Sequence, residues 1–477
     1  MAATNPGAGP GYTRKPYTRK QVNGAGAGVD VGATGTGDGV TAEDFFAYMP
    51  THSYIFVPTR EMWPAASVDA RLPAMVLGTN IKGRVRHVKP SVYLDACRHV
   101  EQMTWAPGLP LTVEGKLIAE GGWIERNGVT TFNLYRPPVE RCGNSANADR
   151  WVDLVRRVYP EDADHIITFC AHRVQHPEVK INHGLVLGGT PGIGKDSMLE
   201  PLKHGVGPWN FKEVSPQDIM GTYNDFMRCV VLRVSEARDL GDVNRYSLYE
   251  HMKVVQATPP DVVRINTKFV PQYYALNVAG VIYTTNHRFD GLYLPADDRR
   301  TYVAWSESKK EDFAAGFWSG PGSLWAWYQA GGIQDVVAYL AELDISQFDP
   351  KAPPKKTDAF WQIVRAGAAS EDSELADVLD AMGAQTKERD AGGNPCGPLV
   401  TTLLKVLAAV QGDLFDWLNE RKNRRIIPHK FEACGYAPLR NPYAKDGLWV
   451  IKGKRQAVYG RLDAPIADRI KAAGKLA

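Results

Sequence analysis

Between Gly184 and Ser197 the chain reads Gly-Leu-Val-Leu-Gly-Gly-Thr-Pro-Gly-Ile-Gly-Lys-Asp-Ser. An apolar strand runs into a glycine-rich turn and a lysine, and a helical pattern follows from Met198 to Lys203. This layout suits the holding of phosphate. Glycines let backbone N–H groups wrap an anion, and the helix start adds partial positive charge. Lys195 would reach the terminal phosphates of a nucleotide such as ATP, cradled by Gly189, Thr190, Pro191, Gly192, Ile193, Gly194, Asp196 and Ser197. One residue departs from the usual Gly-x-x-x-x-Gly-Lys-Ser/Thr pattern. Asp196 stands where a hydroxyl normally holds Mg²⁺, and Ser197 is displaced by one. A glycine-rich turn that binds nothing is the alternative, and the strand–turn–helix context argues against it.

Hydrolysis needs more than a cradle. Cys229 to Val234 is a second apolar run, ending in Ser235-Glu236, where most such strands carry an Asp before the Glu. In a parallel sheet that end lies beside the phosphate loop, so Glu236 would polarise the attacking water while Mg²⁺ neutralises the developing charge. Metal ligation is then shared among Asp196, Ser197, Glu236 and water, an assignment the sequence leaves open. Val278 to Asn286 is a third such run, and the Asn286 amide would hydrogen-bond the γ-phosphate or the water. Asp297-Asp298-Arg299-Arg300 follows, and an arginine there would complete the site of a neighbouring subunit. Taken singly, each has a bland reading: a solvent-facing Glu, a turn-capping Asn, a salt-bridged Arg pair.

Lys195, Glu236, Asn286 and Arg299/Arg300 occur in that order on successive strand ends. In this the chain resembles superfamily 3 helicases, the ring ATPases of viral, phage and plasmid replication. More narrowly it resembles the ATPase module of phage and prophage primase-helicases, many of which share the Gly-Lys-Asp-Ser/Thr loop. Flanking segments carry the narrower likeness: Phe45 to Pro50 with Arg60 to Pro64, Gln102 to Gly108, and Ala171 to Pro177. The resemblance covers roughly residues 42–460. It implies an α/β P-loop NTPase core of AAA+-like kind, ATP and Mg²⁺ as cofactors, a homo-hexameric ring, and 3′ to 5′ translocation on single-stranded or forked DNA beside a primase or polymerase partner. It also implies a pore β-hairpin between the second and third motifs, which brings Lys253, Arg264 and Lys268 forward as DNA-backbone contacts.

These residues must be positioned by the rest of the chain. Residues 1–41 are glycine-rich and basic, with Tyr-Thr-Arg-Lys occurring at both 12–15 and 17–20; too few large aliphatics are present to bury a core, so a disordered tail is expected. Residues 42–138 read as a β-rich accessory module, with a hairpin expected to turn at Asn127-Gly128. Residues 139–180 have helical spacing and form a connector, 181–345 the ATPase core, 346–395 a helical and linker region, and 396–477 a basic, winged-helix-like domain. In that last domain a hairpin is expected to pair Gly447–Ile451 with Gln456–Tyr459, turning at Lys452-Gly453-Lys454. From Glu420 to Arg461 there are eleven Lys/Arg against three Asp/Glu, so Arg424, Arg425, Lys452, Lys454 and Arg455 are candidate phosphate contacts. No primase half is read upstream of the phosphate loop, where no strand-borne pair of acids appears.

Composition narrows the class without naming it. At 477 residues, 44% hydrophobic and 23% charged, the chain suits a soluble protein of two to four domains. No apolar run is long enough to span a bilayer, so a membrane role is not expected. Six scattered cysteines with no C-x-x-C pair argue for a reducing cytoplasm, which the resemblance implies is that of a bacterial host, and against a zinc module. Two rivals stay open: an ATP-switched DNA-binding initiator or loader that does not unwind, and a nucleotide or small-molecule kinase.

Overall fold

The computed structural model describes residues 39–79, 83–139, 142–235, 245–288, 292–386, 389 and 396–476. Almost all of the basic tail expected at residues 1–41 lies outside them.

Five strands form the central sheet: β1 (Gly184–Gly189), β2 (Phe211–Val214), β3 (Val231–Val234), β4 (Gly280–Thr285) and β5 (Thr301–Ser306). All pair in parallel, in the spatial order β2-β3-β4-β1-β5. A parallel sheet is covered on both faces, which is why its strands are near-continuous apolar runs; Leu185, Val186, Leu187, Val231, Leu232, Val281 and Ile282 are each 0% exposed. Helices α1 (Asp149–Val158) and α2 (Ala163–Gln175) contribute Trp151, Val155, Phe169 and Cys170 to that same core. They are therefore part of the central body and do not stand apart as a connector. α3 (Lys195–Val206) follows β1, and α4 (Arg245–Gln256) precedes β4.

The order corrects one expectation. Sequence reading set the carboxylate-tipped strand beside the phosphate loop; β4 lies between them, pairing Val186 with Tyr283 on one side and Arg233 with Ile282 on the other. Asn286 is thus the nearer neighbour of the loop.

Between α4 and β4 the chain leaves the sheet as an antiparallel hairpin, Val262–Ile265 against Tyr273–Leu276. Its base is fastened to the segment leading into β1. The buried Lys180 amine donates to the backbone carbonyls of Val255 and Ala279 (the latter at 2.6 Å) and to Asn277 Oδ1 at 3.2 Å. Two residues on, Asn182 Oδ1 accepts from the Thr258 backbone N–H at 3.0 Å. The flank of the hairpin docks on the N-terminal module, where Thr104 donates to the Tyr274 carbonyl at 2.9 Å and Leu276 N–H to that of Trp105 at 3.2 Å.

The N-terminal module contains a sheet built on Phe45–Tyr48, Ser53–Phe56 and Glu61–Pro64, and a second in which Thr112–Ala119 pairs with the long strand Gly122–Asn133. The turn expected at Asn127-Gly128 is instead a register break inside that long strand, between the pairs Lys116–Glu125 and Glu114–Thr130; the chain reverses at Glu120-Gly121. Helix α5 (Asp358–Thr386) supplies the helical part of the region expected at 346–395, of which residues 387, 388 and 390–395 lie outside the described residues. It buries Phe360 and Ile363 in the central core and Leu375 and Leu379 in that of the C-terminal unit.

The C-terminal unit packs short helices around Trp417, Phe431 and Tyr459, the last two stacked at 4.0 Å. Its basic hairpin is tighter than expected. Trp449–Ile451 pairs with Lys454–Gln456 across the two-residue turn Lys452-Gly453, while Val458–Arg461 joins a different sheet between Val400–Thr402 and Tyr436–Leu439. Both turn residues have positive φ, 47° and 74°, as a hairpin turn matched to strand twist requires.

Removing the Lys180 amine would strand buried acceptors, each costing about 1–3 kcal/mol when unsatisfied. Lys180→Met is therefore expected to lower the denaturant midpoint by an amount worth about 3 kcal/mol at unchanged m-value. An unmoved midpoint would show that the strut contributes nothing to stability.

Candidate nucleotide-binding site

The phosphate-loop candidate sits at the C-terminal end of β1. Gly189, Gly192 and Gly194 have φ of 146°, 82° and 94°, conformations that side-chain-bearing residues rarely adopt. At Gly194 a Cβ would also meet the Trp318 ring at 2.2 Å. The loop and its helix are pinned from behind by buried donors: Tyr159 Oη to the Gly188 carbonyl at 3.0 Å, Trp151 Nε1 to that of Met198 at 3.0 Å, and Tyr328 Oη to that of Ser197 at 2.8 Å.

Lys195 begins α3 and is 8% exposed. Its Nζ donates to the carbonyls of Gly189 at 2.7 Å and Thr190 at 3.0 Å, and to Asn286 Oδ1 at 2.8 Å. Burial pushes the ammonium down to about 8; Asp196 opposes that fall and Arg233 adds to it. The structure thus joins two sequence candidates, Lys195 and Asn286, in one hydrogen bond. Asp196 is exposed, and its carboxylate is held by Arg233. Ser197 is buried beside it, 8% exposed. Glu236 lies outside the described residues.

Arg233 escaped the sequence reading. Its signal was a cation inside an otherwise apolar β3, where a buried parallel strand favours Val, Ile or Leu. Its guanidinium reaches Asp196, Glu213 Oε2 at 3.4 Å and Thr284 Oγ1 at 3.2 Å. With Lys195, Thr284, Asn286, Lys310, Trp318 and Trp325 it lines a cleft of about 390 Å³ in front of the loop. Three cations face one carboxylate among those lining residues, so the cleft favours an anion. For Mg²⁺ the fit is partial and of a known kind. No cluster of three or more His, Cys, Asp or Glu able to hold a metal exists among the described residues, and Mg²⁺ at phosphate sites commonly uses one or two protein groups with the phosphates and water supplying the rest. Asp196 and Ser197 are the described residues placed to take that part.

Arg299 and Arg300 do not enter this cleft. β5 starts directly after them and runs parallel to β1 in the register Gly184–Thr301 to Gly189–Ser306. They lie at the far end of the sheet, about 17 Å from the phosphate loop by strand rise. Buried Asp298 shapes their turn, accepting from Tyr249 Oη at 2.9 Å and from the Arg300 N–H at 3.2 Å. Arg299 is exposed and Arg300 half-buried.

The proposed DNA contacts divide. Arg264 and Lys268 are exposed on the hairpin, and beside Lys268 stands Phe269, 92% exposed at φ 65°. The aromatic tip was missed because a lone Phe between polar residues has no periodicity. Lys253 is not on the hairpin: it lies in α4, ion-paired to Glu250 and over the Tyr249 ring. Arg424 and Arg425 are exposed in the turn Arg421–Arg425, and Lys452, Lys454 and Arg455 on the basic hairpin, with Arg455 paired to Asp446 at 3.3 Å.

No protein-family description and no curated protein matches the chain. Among solved structures, the apo NrS-1 C-terminal region (305–718) aligns with a TM-score of 0.51 at 14% identity, over 87% of this chain and 95% of that one. Its A form aligns at 0.48 and 13% identity, over 87% and 96%. The JCV helicase bound to a thiazolopyridine-phenoxyphenyl acetamide aligns at 0.29 and 9%, over 50% and 64%, too distant to carry an argument. The first match shows a shared fold and nothing finer. No helix among the described residues is long and apolar enough to cross a membrane.

A Lys195 that serves as a phosphate cation must be charged, so on that expectation affinity for ATP without metal falls as pH rises through about 8. Lys195→Arg, which keeps its charge, should flatten that slope; calorimetric titration from pH 7 to pH 9.5 would check it. A flat wild-type profile would exclude Lys195 as the phosphate cation.

Proposed function

We propose that the chain is an ATP-driven DNA helicase of a phage or other mobile element, acting as a ring on single-stranded DNA. The observation that carries the reading is the bond from Lys195 to Asn286. It sets an amide from the neighbouring strand against the lysine of a glycine-built anion cradle, where it can respond to a terminal phosphate. Within the reading, Lys195 and the loop from Gly189 to Ser197 hold the polyphosphate, and Asp196, Ser197 and Glu236 serve the metal. Mg²⁺, when bound, supplies charge neutralisation on the transferring phosphoryl group. Glu236 orients water, and Asn286 reports the γ-phosphate.

The position of Arg299 and Arg300 supports assembly. Too far to serve their own nucleotide, they suit a neighbour's, and exposed Arg299 is the better placed of the two. The hairpin tip supports DNA: Arg264 and Lys268 neutralise phosphates without reading sequence, and Phe269 offers a stacking face. The hairpin leaves the sheet between α4 and β4, so its base and Asn286 belong to one continuous segment.

The reading predicts ATP hydrolysis stimulated by single-stranded DNA. Phe269→Ala with Lys268→Ala should remove that stimulation while sparing basal turnover. Arg299→Ala should retain nucleotide binding and cut hydrolysis by about a thousandfold or more, the scale of an arginine finger. Mixing it with Lys195→Ala subunits should restore part of the activity, since each variant supplies what the other lacks. No recovery at any ratio, with subunit exchange demonstrated, would contradict the shared site. Transfer of phosphate to an acceptor in place of water would favour a kinase.

A further inference from the structure

A guanidinium in the middle of an apolar parallel sheet calls for a reason. Arg233 is flanked by Leu232 and Val234, each 0% exposed, and its own side chain is only 14% exposed. It points to the mouth of the phosphate cleft, where its strongest partner is the carboxylate of Asp196. Asp196 is the residue found where phosphate loops usually carry a metal-binding hydroxyl. The remaining partners of Arg233 are weak: Glu213 at 3.4 Å and the Thr284 hydroxyl at 3.2 Å. The two departures from pattern therefore meet each other, and the loop's carboxylate is occupied by an internal cation.

We propose that Arg233 is a second phosphate-binding cation of the same subunit, and that its pairing with Asp196 is an exchangeable latch. The inference rests on the nucleotide reading above. When a polyphosphate enters, its oxygens, arriving with greater charge, replace Asp196 as partners of the guanidinium. The freed Asp196 carboxylate then turns to the metal that the phosphates bring. One ion pair is exchanged for two, and no proton or covalent bond changes hands. Thr284, which keeps its hydroxyl against the guanidinium, positions Arg233 through the exchange. The latch also explains how an acid is tolerated in an anion cradle, where it would otherwise repel the ligand: Arg233 neutralises it until the metal takes over. Metal binding without nucleotide is disfavoured for the same reason.

Calorimetric titration with ATP, in EDTA and then in Mg²⁺, tests this through binding alone. In EDTA, Arg233→Met should weaken ATP binding by about tenfold, the loss of one charge-assisted hydrogen bond, and Arg233→Lys should recover most of it. Asp196→Asn should do the opposite, tightening binding in EDTA because Arg233 is released and the repelling charge removed. The added affinity that Mg²⁺ supplies should then shrink. A merely structural ion pair would make both variants bind worse, so parallel weakening, or an unchanged Arg233→Met, would overturn the latch. Absence of ATP binding by the wild-type chain under either condition would instead refute the nucleotide reading.

Discussion

The 2.8 Å bond from Lys195 Nζ to Asn286 Oδ1 is the contact on which the rest of the arrangement depends. It forms only because β4 is inserted between β1 and β3, so that the loop after one strand faces the end of the next. That insertion requires the long excursion through α4 and the hairpin between β3 and β4. The excursion is closed by the Lys180 amine and the Asn182 amide, both on the lead-in to β1. The glycine-rich loop, the amide that faces it and the base of the exposed hairpin are therefore linked by hydrogen bonds and continuous chain.

Charge is distributed along the same path with little waste. Inside the cleft, buried Lys195 and half-buried Arg233 are cations whose desolvation is offset by carbonyl, amide and carboxylate partners. At the other end of the sheet Arg299 is exposed. The two ends of the sheet thus each carry cationic side chains, Lys195 and Arg233 at one and Arg299 at the other.

Much of this was legible because its causes are local. Glycines spaced around a lysine dictate a loop of positive φ, and apolar runs ending in Ser235 and Asn286 mark buried strands. What was not legible depends on contacts distant in sequence. Strand order is one case: nothing in Val278–Asn286 says which neighbours it takes. Arg233 is another, since its meaning appears only when α3 brings Asp196 against it. Local signals also misled. Asn127-Gly128 is a strong turn pair, yet it is absorbed as a register break because the strand on both sides remains paired. Lys452-Gly453 forms the tight turn although Lys seldom takes positive φ, since the cross-strand pairing of Ile451 with Lys454 leaves only two residues to close it. Within the region expected to be helix and linker, α5 runs as one long helix whose apolar side is claimed by two cores at once.

The central claim is that nucleotide turnover at this cleft drives movement along DNA. Strand displacement on a forked duplex carrying a 3′ single-stranded tail tests it most directly. The account predicts displacement with ATP and Mg²⁺, none with a non-hydrolysable analogue, and none when Lys195 is replaced by Ala. Robust, DNA-stimulated hydrolysis with no displacement from forks of either polarity would contradict it and point to a switch that binds DNA without unwinding it.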